Sequence, residues 1–187
     1  ELVHNNQKTE EGEALVDDKS DYVRIQLSPK GSLFGNQVDL FVRTPIHSSI
    51  VQFEGYEFYP NHKAVTKYYP NGSLQHILKD ISEGKEHDEW NDTMKSKCIF
   101  GLVSAVTHIH NTFDEENPDF SIRYICPENI IFDDNYQPRL IHYVFGNEEL
   151  GQKPNAYIPP ELHEDPDGPR YDEDIWDIGM VMYEILT

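Results

Sequence analysis

The stretch "SIRYICPENIIFDDNYQPRLIHYVFGN", residues 121–147, decides how the rest of the chain is interpreted. Two short apolar pieces, residues 130–132 and 139–141, flank the polar run Asp133-Asp134-Asn135. Short apolar segments around turn-forming residues are typical of a β-hairpin. The sequence therefore predicts a hairpin that follows a loop containing Pro127.

Upstream of this stretch the pattern predicts strands and then helices. Residues 48–56 and 63–69 have the composition of strands, and the second is followed by Pro70-Asn71-Gly72, a strong turn signal. Ser73 is a plausible N-cap for a helix, and Asn91, Asp92 or Thr93 can cap a second one. The apolar stripes of the two helices are Leu74, Ile77, Leu78 and Ile81, and Ile99, Leu102, Val103, Val106 and Ile109.

Downstream, a helix with apolar residues at Ile175, Ile178, Val181, Met182 and Ile185 closes the chain. This segment is too apolar for a surface position, so the pattern predicts a buried helix. Strands followed by helices with one hairpin between them indicate an α+β fold, divided into two lobes.

The composition bounds the class of function. Among 187 residues, 34 are acidic and 15 are Lys or Arg, which gives a net charge of −19. Because a chain this acidic repels phosphate backbones and anionic lipid, we expect no nucleic-acid or membrane partner. Cys98 and Cys126 are expected to be free thiols. The sequence shows no apolar run near the ~20 residues that a membrane span needs, and we expect no signal segment. These features favour a cytoplasmic protein.

Five segments, taken in order, resemble the protein kinase superfamily of serine/threonine and tyrosine-kinase-like type. "VTKYYPNGSL" (65–74) is similar to the fifth strand, the hinge and the next helix, and "GLVSAVTHIH" (101–110) to the helix before the catalytic loop. "IRYICPEN" (122–129) lies where kinases carry H-R-D-L-x-x-x-N, and "YIPPE" (157–161) resembles their A-P-E segment. "DIWDIG" (174–179) is similar to the start of the buried helix of the large lobe.

The resemblance implies an α+β, two-lobed kinase-like fold. Residues 1–66 would form a partial, mostly β N-lobe, residues 67–73 the hinge, and residues 74–187 a mostly α C-lobe that is truncated within its buried central helix. The chain lacks a G-x-G-x-x-G loop, so we expect it to start near the second strand. By this resemblance it is incomplete at both ends.

The residues that perform phosphoryl transfer in the family are replaced at the matching positions. Tyr124 stands where the resemblance places the catalytic Asp, and a phenol with a pKa of ~10 is a poor proton acceptor near neutrality. Cys126 replaces the Lys that steadies the transferred phosphate. His142 replaces the metal-binding Asp of D-F-G, and a register shifted by two residues (Val144-Phe145-Gly146) supplies no Asp either.

Two further catalytic positions are assigned on the N-terminal side. The pattern "EALVD" (13–17) puts Val16 at the Lys position of the third strand, and the helix Glu that pairs with this Lys falls at Gln37 or Asp39. Nucleotide-cleft residues implied by the resemblance are Thr66 (the gatekeeper), Lys67, Tyr68 and Asn129. Asn129 could still contact a metal or could only tie down the loop.

Positions with a structural role in the family are retained at Arg123, Glu161 and Asp174. Asp174 is expected to hydrogen-bond the catalytic-loop backbone. Residues 142–161 contain no Ser or Thr, so only Tyr143 and Tyr157 could be phosphorylated there, and Tyr157 is expected to pack beside Pro159-Pro160.

Three functional hypotheses follow. The first is a catalytically inactive pseudokinase that binds protein partners, with ATP binding weak or independent of Mg²⁺ and no metal site. The second is an active kinase with displaced groups, for example Asp133 or Asp134 as a metal ligand. The third is a non-functional fragment of a kinase domain.

Overall fold

The computed structural model describes residues 7–9, 12–16, 22–26, 42–57, 63–113, 120–122, 125–141, 155–164 and 172–187. These residues form two compact units. The first contains the early strands, residues 42–46 and residues 51–68, and the second contains residues 47–50 and the described residues from Tyr69 onward. The fold is mixed α+β, as the sequence predicts.

The first unit is built on a five-stranded antiparallel sheet in the order β1-β2-β3-β5-β4. Its strands are β1 (Gln7–Thr9), β2 (Gly12–Val16), β3 (Tyr22–Gln26), β4 (Phe53–Glu57) and β5 (Lys63–Lys67). β5 lies between β3 and β4, so Thr66 pairs with Val23 on one side and with Phe53 on the other. Its side chain is buried, as expected for a central strand.

Val16, assigned by the resemblance to the Lys position of the family's third strand, lies at the end of β2, and the next strand of the sheet is Tyr22–Gln26. Its assignment stays a prediction, as does the expectation that the chain starts near the family's second strand. All three residues of β1 (Gln7-Lys8-Thr9) are polar, so no apolar alternation marks this strand in the sequence. Gln37 and Asp39 lie outside the described residues.

The second unit contains four helices and one hairpin in the part that the structure describes. The helices are α1 (Leu74–Ser82), α2 (Asp92–Phe113), α3 (Pro160–Glu164) and α4 (Glu173–Leu186). The hairpin strands β6 (Ile130–Phe132) and β7 (Pro138–Leu140) pair antiparallel, which confirms the predicted hairpin. Two short 3-10 helices occupy Pro127–Asn129 and Asn155–Tyr157.

α1 begins where its sequence signals predict. Gly72 adopts φ +71°, a conformation that glycine reaches without the steric cost of a Cβ atom. Ser73 is the N-cap, and its hydroxyl accepts a hydrogen bond from the backbone N–H of His76. Such a cap satisfies one of the helix's four unpaired N–H groups, a contribution of about 1 kcal/mol.

α2 is the central helix of the second unit, and its buried face differs in part from the predicted one. Leu102, Val106 and Ile109 are buried as predicted, but Val103 is 41% exposed. The structure also buries residues outside the predicted stripe: Met94, Cys98, Gly101, Ala105 and Phe113 complete the face. Asn91 caps the helix by accepting from the N–H of Met94.

α4 is buried on one face only, which corrects the expectation of a wholly buried helix. Ile178, Val181 and Ile185 are buried, whereas Ile175 is 61% exposed. The other buried positions are acidic: Glu173, Asp174 and Asp177. The carboxylates therefore occupy inward positions that the apolar pattern suggested for hydrophobic side chains.

Among the described residues no helix is both long and apolar enough to cross a membrane.

Candidate functional site

A buried carboxylate on α4 fixes the start of the loop before the hairpin. Asp174 is fully buried, and its Oδ2 accepts hydrogen bonds from the backbone N–H of Ile122 (2.7 Å) and from Nε2 of His110 (2.7 Å). The hydroxyl of Ser121 donates to Oδ1 at 3.0 Å. This contact to the loop backbone is the role that the family resemblance assigned to Asp174.

Asp177, one helical turn further on, holds the next part of the same loop. It is fully buried, and Oδ2 accepts from the backbone N–H of Ile125 at 3.0 Å. Residues three apart lie on one face of a helix, so Asp174 and Asp177 can both accept hydrogen bonds from the same loop, at Ile122 and Ile125. Sequence analysis missed Asp177 and the partners His110 and Ser121. The three-residue spacing of the two aspartates was the available signal.

The loop continues into a short 3-10 helix whose first residue, Pro127, is buried. Cys126 precedes it in extended conformation and accepts at its carbonyl from the N–H of Asn129 (3.0 Å). The Cys126 side chain is only 4% exposed. A buried thiol cannot reach out to a substrate phosphate as the flexible ammonium of a Lys would. Asn129 is half-buried, and its carbonyl accepts from the N–H of Ile141 (2.8 Å).

The carboxylate of Asp133 is committed to building the hairpin turn. Oδ1 accepts from the N–H groups of Asn135 and Gln137, both at 2.9 Å, and Oδ2 pairs with Arg139 at 2.9 Å. Burial alone would raise the pKa of Asp133, but the hydrogen bonds from Arg139, Gln137 and Asn135 bring it below its ordinary value. Oxygens engaged in this way are poor candidates for a metal ligand.

Tyr157 is a structural residue. Its ring is buried, and its hydroxyl donates to Oε1 of Glu184 at 2.6 Å. Burial, reinforced by the neighbouring Glu184 carboxylate, raises the pKa of Tyr157. A kinase acting on this hydroxyl would first have to withdraw it from the core.

Glu161 lies on α3, next to this buried tyrosine but on the surface. With Asp172 it borders a cavity of about 400 Å³ whose other walls come from α4: Ile175, Trp176, Gly179 and Met180. Its retained structural role in the family is neither shown nor contradicted by these contacts.

The remaining predicted site residues divide into two groups. Arg123, Tyr124 and His142 lie outside the described residues, so their assignments stay predictions from the sequence. Thr66 and Lys67 lie on β5 of the first unit, Tyr68 follows them, and Asn129 belongs to the second unit. Whether these four share a nucleotide site also stays a prediction. In the parts of the chain that the structure describes, no three His, Cys, Asp or Glu side chains are grouped to hold a metal ion.

Comparison with known proteins supports the family resemblance. The chain is 25% identical over 155 residues to the "Probably inactive leucine-rich repeat receptor-like protein kinase" of Arabidopsis thaliana. This alignment covers 75% of the chain and 15% of that relative. It is 30% identical over 135 residues to the "Probable serine/threonine-protein kinase PBL7" of the same plant (66% of the chain, 34% of the relative). A third Arabidopsis protein, "Serine/threonine-protein kinase CDG1", is 27% identical over 154 residues (75% and 34%).

No family model matches the chain. The chain spans about a third or less of the length of these three relatives. All three relatives carry the word kinase in their names, and each alignment covers about two thirds or more of the chain. By these matches the chain is similar in sequence to members of the protein kinase superfamily.

Proposed function

We propose that this chain is a catalytically inactive kinase-like module that works by binding protein partners, as a scaffold or a regulator in signalling. The observation that carries the proposal is the contrast within residues 121–142. The contacts that position the loop are intact, with Asp174 and Asp177 holding the backbone of Ile122 and Ile125. The residues at the reactive positions are Tyr124, Cys126 and His142.

The burial of Cys126 supports this proposal directly. Phosphoryl transfer relies on charges positioned around the phosphate. By the resemblance, Cys126 stands where protein kinases have a Lys that supplies one of these charges. Here the position holds a thiol packed into the interior. Replacing it by Lys in the present backbone would bury an ammonium group, which is costly without a partner.

The alternative of an active enzyme with displaced metal ligands is weakened by Asp133. Its Oδ1 is held by two N–H groups and its Oδ2 by a guanidinium, so binding Mg²⁺ would break the hairpin turn. Asp134, the other carboxylate considered, is exposed in the same turn. The names of the relatives allow both possibilities. PBL7 is named a "Probable serine/threonine-protein kinase" and CDG1 a "Serine/threonine-protein kinase", whereas the leucine-rich repeat relative is named "Probably inactive".

We further propose that the two compact units are the two lobes of a kinase-like domain, and that any ATP binding is weak or independent of Mg²⁺. The residues that would contact the nucleotide are Thr66, Lys67, Tyr68 and Asn129. Without an acidic residue at positions 124 and 142, the chain offers no carboxylate to hold Mg²⁺ on the phosphates at the positions that the family uses.

The test is phosphoryl transfer together with nucleotide binding. The full chain is incubated with labelled ATP, Mg²⁺ or Mn²⁺ and generic protein substrates, beside an active serine/threonine kinase as a positive control. We expect no transfer above background. Transfer that an inhibitor of the nucleotide cleft abolishes would overturn the proposal.

Nucleotide binding is measured by thermal shift with ATP, with and without Mg²⁺. A ligand at a hundredfold excess over its Kd adds about 2.7 kcal/mol to the folded state. A shift that does not depend on Mg²⁺ would support a nucleotide-binding pseudokinase, and no shift would support a scaffold that binds proteins alone. A shift that requires Mg²⁺ would contradict the proposed loss of the metal site.

A further inference from the structure

Residues 47–50 are attached to two elements of the second unit. The carbonyl of Ser49 accepts from the N–H of Leu140 at 2.8 Å, and Ile50 forms a parallel bridge with Leu140. The Gln137 amide donates to the Ser49 hydroxyl at 3.3 Å. Ser49 and Ile50 are both buried. The segment therefore lies tightly against β7.

His47 connects this segment to α2 through both of its ring nitrogens. Nδ1 accepts a hydrogen bond from the backbone N–H of Ser49 at 3.1 Å, and Nε2 lies 3.2 Å from the hydroxyl of Ser104 on α2. A backbone N–H can only donate, so Nδ1 must carry a lone pair. The ring is therefore neutral, with its proton on Nε2 directed at Ser104.

A second imidazole stacks on the first. The ring of His108, one turn after Ser104 on α2, lies 4.7 Å from the His47 ring, centroid to centroid, with an interplanar angle of 22°. Nε2 of His108 is buried and has no hydrogen-bond partner among the described residues. Two stacked imidazoles cannot both become charged without strong mutual repulsion.

Among the described residues, the other ionisable group that acts on His47 is the Arg139 guanidinium on β7. Burial, then His108, then Arg139 hold the pKa of His47 below its ordinary value. His108 from α2 and Arg139 from β7 thus both oppose a positive charge on the His47 ring. Protonation of Nδ1 would also remove the acceptor that Ser49 N–H uses.

We propose that His47 is a pH-sensitive latch, which holds residues 47–50 against α2 and β7 while its ring is neutral and releases them when the ring is protonated. The sign follows from linkage. His47 takes up its proton at lower pH in the folded state than in the unfolded chain, so the unfolded state binds more protons as the pH falls below about 6.5. The latch is fully effective above that pH and weakens in mild acid.

The test is residue-resolved amide hydrogen exchange on the full chain at pH 7.5 and pH 5.0, with rates corrected for the intrinsic pH dependence of exchange. We expect the protection of the Ser49 and Leu140 amides to fall about fivefold or more at pH 5.0, as for the loss of one hydrogen bond of about 1 kcal/mol. Amides in the middle of α1 serve as an internal reference and should keep their protection.

Variants separate the latch from a general effect of acid. In His47→Asn the side-chain oxygen can still accept from the N–H two residues on and does not titrate, so the protection of Ser49 should no longer depend on pH. His163→Asn removes an exposed histidine on α3 and should behave as the unmodified chain. A fall in protection that persists in His47→Asn would overturn the proposal.

Two further measurements apply if His47→Asn fails to fold. In Ser104→Ala the ring loses its α2 partner, so protection at pH 7.5 should fall. In the unmodified chain, an NMR titration of the imidazole nitrogens should show the Nε2–H tautomer of His47 and a pKa below 6.5. A His47 that titrates at or above its ordinary value would contradict the latch regardless of the variants.

Discussion

The Asp174 carboxylate joins α4 to α2 and to the loop before the hairpin. It accepts from a backbone N–H, an imidazole and a hydroxyl, and no part of it meets solvent. Removing one side of a buried, hydrogen-bonded ionic cluster leaves donors without an acceptor in a medium where water cannot replace it. The buried carboxylate of Asp177 likewise accepts a hydrogen bond from the backbone N–H of Ile125.

Asp174→Ala should lower the free energy of unfolding by about 3–5 kcal/mol. Asp174→Asn, which keeps the shape but directs an amide NH₂ at some of the same donors, should be intermediate. Urea denaturation measures both. Asp134→Asn, an exposed residue of the hairpin turn, is the control and should stay within about 0.5 kcal/mol of the unmodified chain. An Asp174→Ala protein as stable as this control would contradict the anchoring role.

Cys98 should be chemically inert in the native protein. It is fully buried on α2, and desolvation raises its pKa to about 12, so almost no thiolate exists at pH 8. Alkylation by iodoacetamide at pH 8, followed by peptide mass spectrometry, should modify Cys98 only when urea unfolds the chain. Rapid modification under native conditions, with the far-ultraviolet circular dichroism unchanged, would show that the Cys98 thiol is accessible to solvent in the folded protein.

At the scale of elements, α2 and the hairpin approach each other closely at Gly101. A Cβ atom built on Gly101 would lie 2.5 Å from Cγ of Pro138 and 3.2 Å from Oγ of Ser49. The proline ring cannot rotate away, so only the absence of a side chain at Gly101 lets the helix, β7 and residues 47–50 meet.

Gly101→Ala should therefore destabilise the protein by about 1–3 kcal/mol, despite the better helix propensity of alanine. Gly179→Ala on α4 is the matched control. A Cβ there meets nothing within 4 Å, so this substitution should be neutral or stabilising by up to about 1 kcal/mol. Thermal unfolding of the two variants gives the comparison. Equal effects of both substitutions would indicate that α2 and β7 are further apart than described.

The sequence predicted the elements whose signals are local. Ser73 and Asn91 each cap a helix through a contact three residues away, and the hairpin depends on a turn whose polar residues stand between two apolar pieces. Such features can be predicted from the sequence because the interacting groups are neighbours in the chain. β1 could not be predicted in this way, because its three polar residues give no apolar alternation.

The features that depend on distant partners were harder to predict. Cys98 and Ala105 belong to the buried face of α2, but small residues score weakly in an apolar pattern. Asp177 faces inward because the backbone of Ile125, 52 positions earlier, needs an acceptor. The resemblance supplied Asp174 and the family, whereas periodicity alone supplied only an α+β class.

At the scale of the whole molecule, the dominant property is charge. A net charge of −19 on 187 residues produces self-repulsion that opposes the compact state. Raising NaCl from about 0.01 M to 0.15 M shortens the screening length from about 30 Å to about 8 Å. We expect the melting temperature at pH 7.5 to rise by about 2–4 °C, equivalent to roughly 1 kcal/mol for a chain of this size.

The same salt series near pH 4.6, the isoelectric point, is the control, because a chain with no net charge has little repulsion to screen. The rise should be absent or much smaller there. A melting temperature that falls with salt at pH 7.5 would mean that attractive surface ion pairs outweigh the repulsion.

The inward face of α4 carries both acidic and apolar residues, which affects the order of folding. It buries Asp174 and Asp177 beside Ile178, Val181 and Ile185, while Ile175, Tyr183 and Leu186 are more than half exposed. Hydrophobic burial accounts for the apolar residues of this face, but it gives a carboxylate no reason to leave water. The helix can turn its acidic face to the interior only when the peptides of Ile122 and Ile125 are in place to receive it. Loop and helix should thus form late and together, and substitutions at either aspartate should speed unfolding much more than they slow folding.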